Sequence, residues 1–386
     1  MSCPHSCIPD QNIPLTRKEK EMAPIFLIRT NSDNVVYPPI NLYESFIESC
    51  KQYKVIGEEG KLTKSIVNEN LEYVLQKRED EIEEDRPDDS FQLGQIMFEK
   101  ERYSQALKHF KNAILKYDDP RAKYQVAVML FDDLLEFEDR MQYENPQVTA
   151  FYMMEGLLSL DRGVGSPKGN AEIVDAAAFN LYLAYLQGWG VKQSDEKALK
   201  YLLKSARFGQ TRVSVLAQTT LGYFYASPDH FDLAEAFHWH SEACHNGSIE
   251  SQAVIGVLYM FGMGVRKDWC SALSCLREAS KCGSIFAKGL LSLLYFIRQL
   301  YTNASRTAYS LAFNQDLKNE PNSGPDASTF AKRGLAVACF VYATCLDRGV
   351  GVEKDEQLAK SLYSRSIHTD PITASKLQNM LIREEF

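Results

Sequence analysis

The feature that most constrains this chain is a pattern of small residues and paired glycines, clearest in residues 251–284. An apolar stripe at three- and four-residue spacing over 253–259 predicts a buried helix face. It ends at Gly262 and Gly264, and two glycines one residue apart allow the positive φ angles that a sharp turn needs. A second stripe over 272–279 predicts a second helix. Together they predict a helical hairpin with small residues where the two helices approach closely.

The hairpin pattern recurs along the chain. Copies are expected because a single hairpin cannot bury its own apolar face. The alanine near the start of the second helix recurs at Ala198, Ala236, Ala272 and Ala359, and the glycine pair recurs at Gly188/Gly190, Gly262/Gly264 and Gly349/Gly351. Repeated hairpins bury a continuous core by stacking on their neighbours. The pattern therefore predicts an all-α fold, an α-solenoid of antiparallel helix pairs.

These residues carry a resemblance to the Sel1-like repeat, a relative of the tetratricopeptide repeat. The motif is LG-x2-Y-x2-G-x-GV-x2-D-x3-A, and the resemblance extends from about Asp88 to the C-terminus. Residues 88–120 are closer to a tetratricopeptide unit, with Leu93, Gly94, Ala106 and Phe110 at its key spacings. The resemblance implies a right-handed superhelix that acts as a scaffold without catalysis.

A more specific resemblance lies in residues 236–252 (AFHWHSEACHNGSIESQ) and 380–383. These segments are similar to animal family members that bind endocytic receptors of the megalin type. The resemblance implies a non-enzymatic cytosolic adaptor whose partner is a peptide segment, the cytoplasmic tail of such a receptor. The alternative is a general Sel1-type scaffold or regulatory subunit that assembles a multiprotein complex.

Repeat boundaries and changes of composition divide the chain into six predicted regions. In the unit after residue 120, Asp133 and Leu135 stand where the loop glycines are expected, so its connection is predicted to differ. The regions are an extended tail (1–40), a helical cap (41–87), a tetratricopeptide-like and a degenerate repeat (88–161), Sel1-like repeats (162–313), a polar loop insertion (314–333), and a final repeat with a C-terminal capping helix (334–386).

Charge and hydropathy exclude several classes of partner. The net charge is −8, which argues against binding nucleic acid because phosphate binding needs a basic stripe. The longest apolar stretch, 290–297, is far shorter than the roughly 20 residues that a membrane-spanning helix needs, so direct membrane insertion is not expected. The N-terminal residues lack the apolar core of a signal peptide, and the nine cysteines form no repeating pairs. We therefore expect a cytoplasmic protein with reduced thiols.

The one group of residues with possible chemistry lies in 238–245 (HWHSEACH). His240 and Cys244 are four residues apart on a helix, which suits two zinc ligands, but no partner pair at fixed spacing is visible. His240 also occupies the repeat position of Leu202 and Leu276, which favours packing. No nucleophile motif is present. We expect no metal, no cofactor and no catalytic residue.

The first helix of each hairpin is expected to line the concave face of a solenoid. Apolar residues on such a face indicate an extended apolar peptide partner, unless neighbouring parts of the chain cover them. On this basis alanine at Phe179 or Tyr223 is expected to abolish peptide binding and leave stability nearly unchanged. The predicted groove residues are Phe91, Gln95, Phe179, Leu183, Tyr223, Val257, Met260 and Phe340.

Overall fold

The structure, a computed structural model, describes residues 87–160, 170–314 and 329–383, in which sixteen helices and no strand are found. The predicted tail and all but the last residue of the predicted cap lie outside these ranges. The helices are α1 (Pro87–Glu99), α2 (Tyr103–Tyr117), α3 (Pro120–Phe131), α4 (Phe137–Arg140), α5 (Pro146–Leu157), α6 (Asn170–Gln187), α7 (Asp195–Ala206), α8 (Arg212–Ala226), α9 (Leu233–His245), α10 (Ile249–Phe261), α11 (Trp269–Lys281), α12 (Ile285–Ile297), α13 (Tyr301–Ala312), α14 (Thr329–Arg348), α15 (Glu356–Thr369) and α16 (Pro371–Ile382). The all-α fold is confirmed.

Contacts divide the described helices into two compact units, one ending at Ala217 and one beginning at Gln218, within α8. In the first unit α1 pairs with α2, α3 with α5, and α6 with α7. In the second unit α10 pairs with α11, α12 with α13, and α14 with α15, while α16 packs on both α14 and α15. Each unit is thus a stack of the antiparallel hairpins that the glycine and alanine pattern predicts.

Each glycine pair adopts the left-handed conformation at both positions, for example φ 74° at Gly262 and 67° at Gly264. The second glycine also lies against the backbone of another hairpin. A Cβ added at Gly264 would stand 1.9 Å from the carbonyl oxygen of Leu233, at the start of α9. The same relationship joins Gly190 to Gln147 and Gly351 to Tyr301, each at the first turn of an earlier second helix. The second glycine is therefore required by packing as well as by the turn.

The aspartates that begin the second-helix pattern are N-caps. The Asp232 carboxylate accepts hydrogen bonds from the backbone N–H groups of Ala234 and Glu235, at 3.0 and 3.1 Å. Asp268 and Asp355 cap α11 and α15 in the same way. An N-cap of this kind stabilises a helix by about 1 kcal/mol because it satisfies N–H groups that lack an intrahelical partner. The pattern thus fixes where each second helix begins.

The degenerate unit keeps both of its helices, α3 and α5, as predicted. Its connection contains the one-turn helix α4, and Asp133 takes the positive φ, 56°, that a loop glycine would otherwise supply. One boundary differs from the sequence prediction. The predicted loop insertion 314–333 is wrong at its C-terminal end, because α14 begins at Thr329, and Phe330 and Arg333 are buried there.

The second unit has one continuous apolar core that runs from Tyr223 to Met380. Its central helix, α14, is long and apolar enough to cross a membrane by length and composition, but 78% of its most apolar window is buried inside the protein. The same composition is typical of a core helix in a soluble fold. Burial of α14 between α12, α13, α15 and α16 therefore explains its hydropathy.

Candidate functional site

The eight predicted groove residues are all buried, with exposed fractions between 0 and 8%: Phe91, Gln95, Phe179, Leu183, Tyr223, Val257, Met260 and Phe340. The expectation that these side chains form an exposed apolar surface is therefore wrong. The reason lies in contacts between helices. The centre of the Phe91 ring lies 5.8 Å from that of Phe110 in α2, and the centre of the Phe340 ring lies 5.3 Å from that of Tyr363 in α15. Phe91 and Phe340 thus pack the two helices of their own hairpins together.

Tyr223 is the centre of a cluster that joins four first helices of the second unit. Its hydroxyl donates a hydrogen bond to Glu250 of α10 at 2.7 Å, and its ring stacks on Phe330 of α14 at 5.4 Å. Phe330 in turn packs edge-on against Phe286 of α12 at 5.1 Å. We call Tyr223, Glu250, Phe286 and Phe330 the first-helix cluster. Phe330 was placed in a loop by the sequence reasoning, so its role in the cluster was missed.

Arg333 extends the first-helix cluster with a buried positive charge. It is 6% exposed, and its guanidinium lies 5.0 Å from the centre of the Phe330 ring. Its Nε stands 3.9 Å from a carboxylate oxygen of Asp370, the residue that caps α16. A buried arginine costs free energy unless carboxylates and aromatic faces surround it. Arg333 thus links the first-helix cluster to the C-terminal helix.

His240 occupies a packing position, as its place in the repeat predicts, and burial lowers its pKa to about 3. Its Nδ1 lies 3.1 Å from the Ser251 hydroxyl, which bonds the Thr219 hydroxyl at 3.0 Å. The ring packs on Gly222, where an added Cβ would stand 2.5 Å from it. Within the described residues no group of three or more His, Cys, Asp or Glu side chains is arranged to hold a metal ion.

A surface pocket of about 740 Å³ lies in the first unit, between α1, α2 and the connection that contains α4. Its floor includes Leu93 and Leu107, and its wall carries Lys108 and Lys111. Lys111 donates a hydrogen bond to the Gln142 side chain at 2.7 Å, which ties α2 to the connection. We call this surface the α2 pocket.

The face of α2 that lines the pocket is basic and partly apolar. Lys108, Lys111 and Lys116 all line it, and α2 (YSQALKHFKNAILKY) contains no Asp or Glu. Leu115 stands on the same face with 85% of its surface exposed. Asp139, the one acidic residue among the described residues of the lining, accepts a hydrogen bond from the Ser104 hydroxyl at 2.5 Å. This surface was not anticipated, although the lysines of α2 were a signal readable from the sequence.

Comparison with known families identifies repeats in the chain. A model of the Sel1 repeat matches residues 176–207, 215–248, 249–284 and 336–368. The matched segments cover α6–α7, α8–α9, α10–α11 and α14–α15, and all of these except α8–α9 are hairpins described above. The chain therefore carries a Sel1 repeat scaffold in these segments.

Two solved structures are similar to this chain. One is a Sel1 repeat protein from Oxalobacter formigenes, with 19% identity and a TM-score of 0.46, covering 72% of this chain and 96% of that one. The other is a protective antigen present in uropathogenic Escherichia coli strains and displaying an SLR fold, with 17% identity and a TM-score of 0.36, covering 81% of this chain and 75% of that one.

Proposed function

We propose that this chain is a non-enzymatic cytoplasmic adaptor that binds a peptide segment of another protein on its stacked hairpins. The observation that carries the proposal is the run of Sel1 repeats that match the family model, because Sel1 repeats generally mediate protein–protein interactions. The continuous core of the second unit supports it further. A rigid surface binds a peptide without first paying its own ordering entropy.

The peptide that we propose is the cytoplasmic tail of an endocytic receptor of the megalin type. This part rests on the resemblance of residues 236–252, which form most of α9 and the beginning of α10. Several of these residues are buried, among them His240 and Ser251. His238 and Glu242 on the same stretch are exposed, so their side chains can reach a partner.

The test is titration of the full chain with a synthetic receptor-tail peptide, measured by isothermal titration calorimetry. We expect saturable one-to-one binding, with a scrambled tail as the negative control. Because the groove residues predicted from the sequence are buried, the contact variants should carry exposed changes such as His238→Glu with Glu242→Lys. A matched control is Glu196→Lys, an exposed residue of α7 outside the resembling segment.

The outcomes separate the assignment of the receptor tail as the partner from the more general adaptor function. Tail binding that is lost in the α9 variant and kept in the control supports the receptor assignment. No heat with the authentic tail, at concentrations well above those of the protein, overturns the receptor assignment. If affinity capture with the full chain from epithelial cytosol also recovers no reproducible protein partner, the adaptor function itself is wrong.

A further inference from the structure

The α2 pocket is basic in a chain whose net charge is −8. Lys108, Lys111 and Lys116 line it, and Asp139 is the only carboxylate of the described lining. Asp139 is engaged by Ser104, and Lys111 is held by Gln142 and by the Tyr143 ring, 5.1 Å from its ammonium. Lys108 is exposed and Lys116 is exposed beside Leu115. The charged side chains of the described lining are thus mostly positive, opposite in sign to the net charge of the chain.

Four of the α2 residues that line the pocket lie on one helical face. Ser104, Lys108, Lys111 and Leu115 follow one another at spacings of four, three and four residues, as neighbours on a helix surface do. The opposite face of α2, with Ala106, Phe110 and Ala113, is buried in the hairpin stack. The face that remains offers cations and an apolar side chain to a ligand, and its shape is set by a helix rather than by a loop.

We propose that the α2 pocket binds an acidic peptide segment that carries at least one large apolar side chain. The positive charges favour a peptide with carboxylates, which would pair with Lys108 and Lys116. The apolar side chain would cover Leu115 and reach the floor formed by Leu93 and Leu107, since a leucine that is 85% exposed beside an apolar floor gains free energy when it is covered. The pocket, about 740 Å³, lies in the size range of sites that hold a few side chains.

Nucleic acid is the other polyanion that lysines attract, and the pocket favours it less. A phosphate backbone leaves Leu115 and Leu93 uncovered and meets the Asp139 carboxylate. Arginine, whose guanidinium pairs with phosphate through two hydrogen bonds, is absent from the described part of the pocket lining. An acidic peptide matches both the charge and the apolar surface.

This inference deepens the proposed adaptor function and rests on it. Its test uses the full chain and a short fluorescein-labelled peptide in which glutamates flank a leucine, with a glutamine-for-glutamate peptide and a single-stranded oligonucleotide as comparison probes. Fluorescence anisotropy gives Kd at low and at high salt. We expect the glutamate peptide to bind, the glutamine peptide to bind at least about tenfold more weakly, and added salt to weaken binding of the glutamate peptide.

The variant Lys108→Glu with Lys116→Glu reverses two exposed charges, and we expect it to raise Kd about tenfold or more. Leu115→Ser should raise Kd several-fold because it removes the apolar contact. The matched control, Lys204→Glu, reverses an exposed lysine of α7 that does not line the pocket, and should leave Kd unchanged. All these positions are exposed, so the melting temperature should stay within a few degrees of wild type.

Equal Kd values for the reversed variant and the Lys204→Glu control would overturn the inference, as would tighter binding of the oligonucleotide than of the glutamate peptide. If the reversed variant no longer binds the glutamate peptide but still binds the receptor tail, the inference is supported and the tail binds at a different surface. A chain that binds the tail and never binds the glutamate peptide contradicts the inference and leaves the adaptor function standing. The two failures are therefore distinguishable.

Discussion

The carbonyl oxygen of Leu233 lies against Gly264, at a point 1.9 Å from where a Cβ on that glycine would be. Leu233 begins α9 and Gly264 closes the turn after α10, so the contact joins one hairpin to the loop of the next. Because a peptide carbonyl cannot move without disturbing the first turn of α9, the contact admits only glycine. The same arrangement at Gly190 and Gly351 makes it a property of the repeat.

We predict that Gly264→Ala destabilises the protein by more than its strained φ angle explains. A methyl group there meets the Leu233 backbone, and a cost of about 3 kcal/mol or more is expected because the helix start must shift. The matched control is Gly283→Ala, which also has a positive φ, 91°, but has no atom within 4 Å of its added Cβ. That variant should lose only about 1 kcal/mol. Urea denaturation followed by circular dichroism measures both, and equal losses would contradict the packing explanation.

Gly289 and Gly334 form a second close approach, between α12 and α14. A Cβ on Gly289 would stand 2.1 Å from the Gly334 carbonyl oxygen, and a Cβ on Gly334 would stand 2.5 Å from the Ile285 carbonyl oxygen. We expect Gly334→Ala to cost about 3 kcal/mol or more, since neither backbone can retreat from the buried core. Gly156→Ala is the control, because Gly156 lies in α5 with open space around it. It should be neutral or raise stability by up to about 1 kcal/mol.

The first-helix cluster should stabilise the second unit rather than bind a ligand. Phe330→Ala removes a ring that is 8% exposed and packed on Tyr223 and Phe286, so we expect a loss of about 3 kcal/mol. Tyr223→Phe removes only the hydroxyl that bonds Glu250, and should cost about 1 kcal/mol. This replaces the sequence-based expectation that alanine at Tyr223 or Phe179 spares stability. Thermal melts of both variants decide, and a Phe330→Ala protein as stable as wild type would mean that the cluster is not part of the core.

The hairpins were predictable because their signals are local. The turns made by the glycine pairs and the caps made by aspartates such as Asp232 involve only nearby residues, so a pattern in the sequence is enough to place them. The hairpin of α12 and α13 carries weaker signals. Gln299 supplies the positive φ, 58°, in place of a glycine, and Leu300 occupies the N-cap without a side-chain hydrogen bond.

The candidate sites were predictable only in part, because exposure depends on contacts between distant residues. Tyr223 lies on the expected face of its helix, yet Phe330, more than a hundred residues later in the chain, covers it. No local pattern reports such a contact. By contrast, the lysines of α2 and the lack of Asp or Glu beside them were readable directly, and the structure adds the pocket floor beneath them.

The buried histidine gives the last prediction, which concerns pH. Burial lowers the pKa of His240 to about 3 in the folded protein, whereas the unfolded chain has the ordinary value near 6.5. The folded state therefore binds fewer protons than the unfolded chain at acidic pH. The contribution of His240 to the free energy of unfolding is fully present above pH 6.5 and falls as the pH drops toward 3, by up to about 1.4 kcal/mol per pH unit. His240→Leu should remove this loss.

Leucine is a suitable replacement because Leu276 occupies the equivalent position beside Gly256, as His240 does beside Gly222. At pH 7.5 we expect the His240→Leu protein to be within about 1.5 kcal/mol of wild type, with the Ser251 hydroxyl losing one of its partners. Between pH 7.5 and pH 5 the wild type should lose about 2 kcal/mol more than the variant. Urea midpoints at the two pH values measure the difference, and His238→Leu, a change at an exposed histidine, controls for the removal of a histidine as such. Parallel losses in the His240→Leu protein and the wild type would show that His240 does not set the acid sensitivity of the fold.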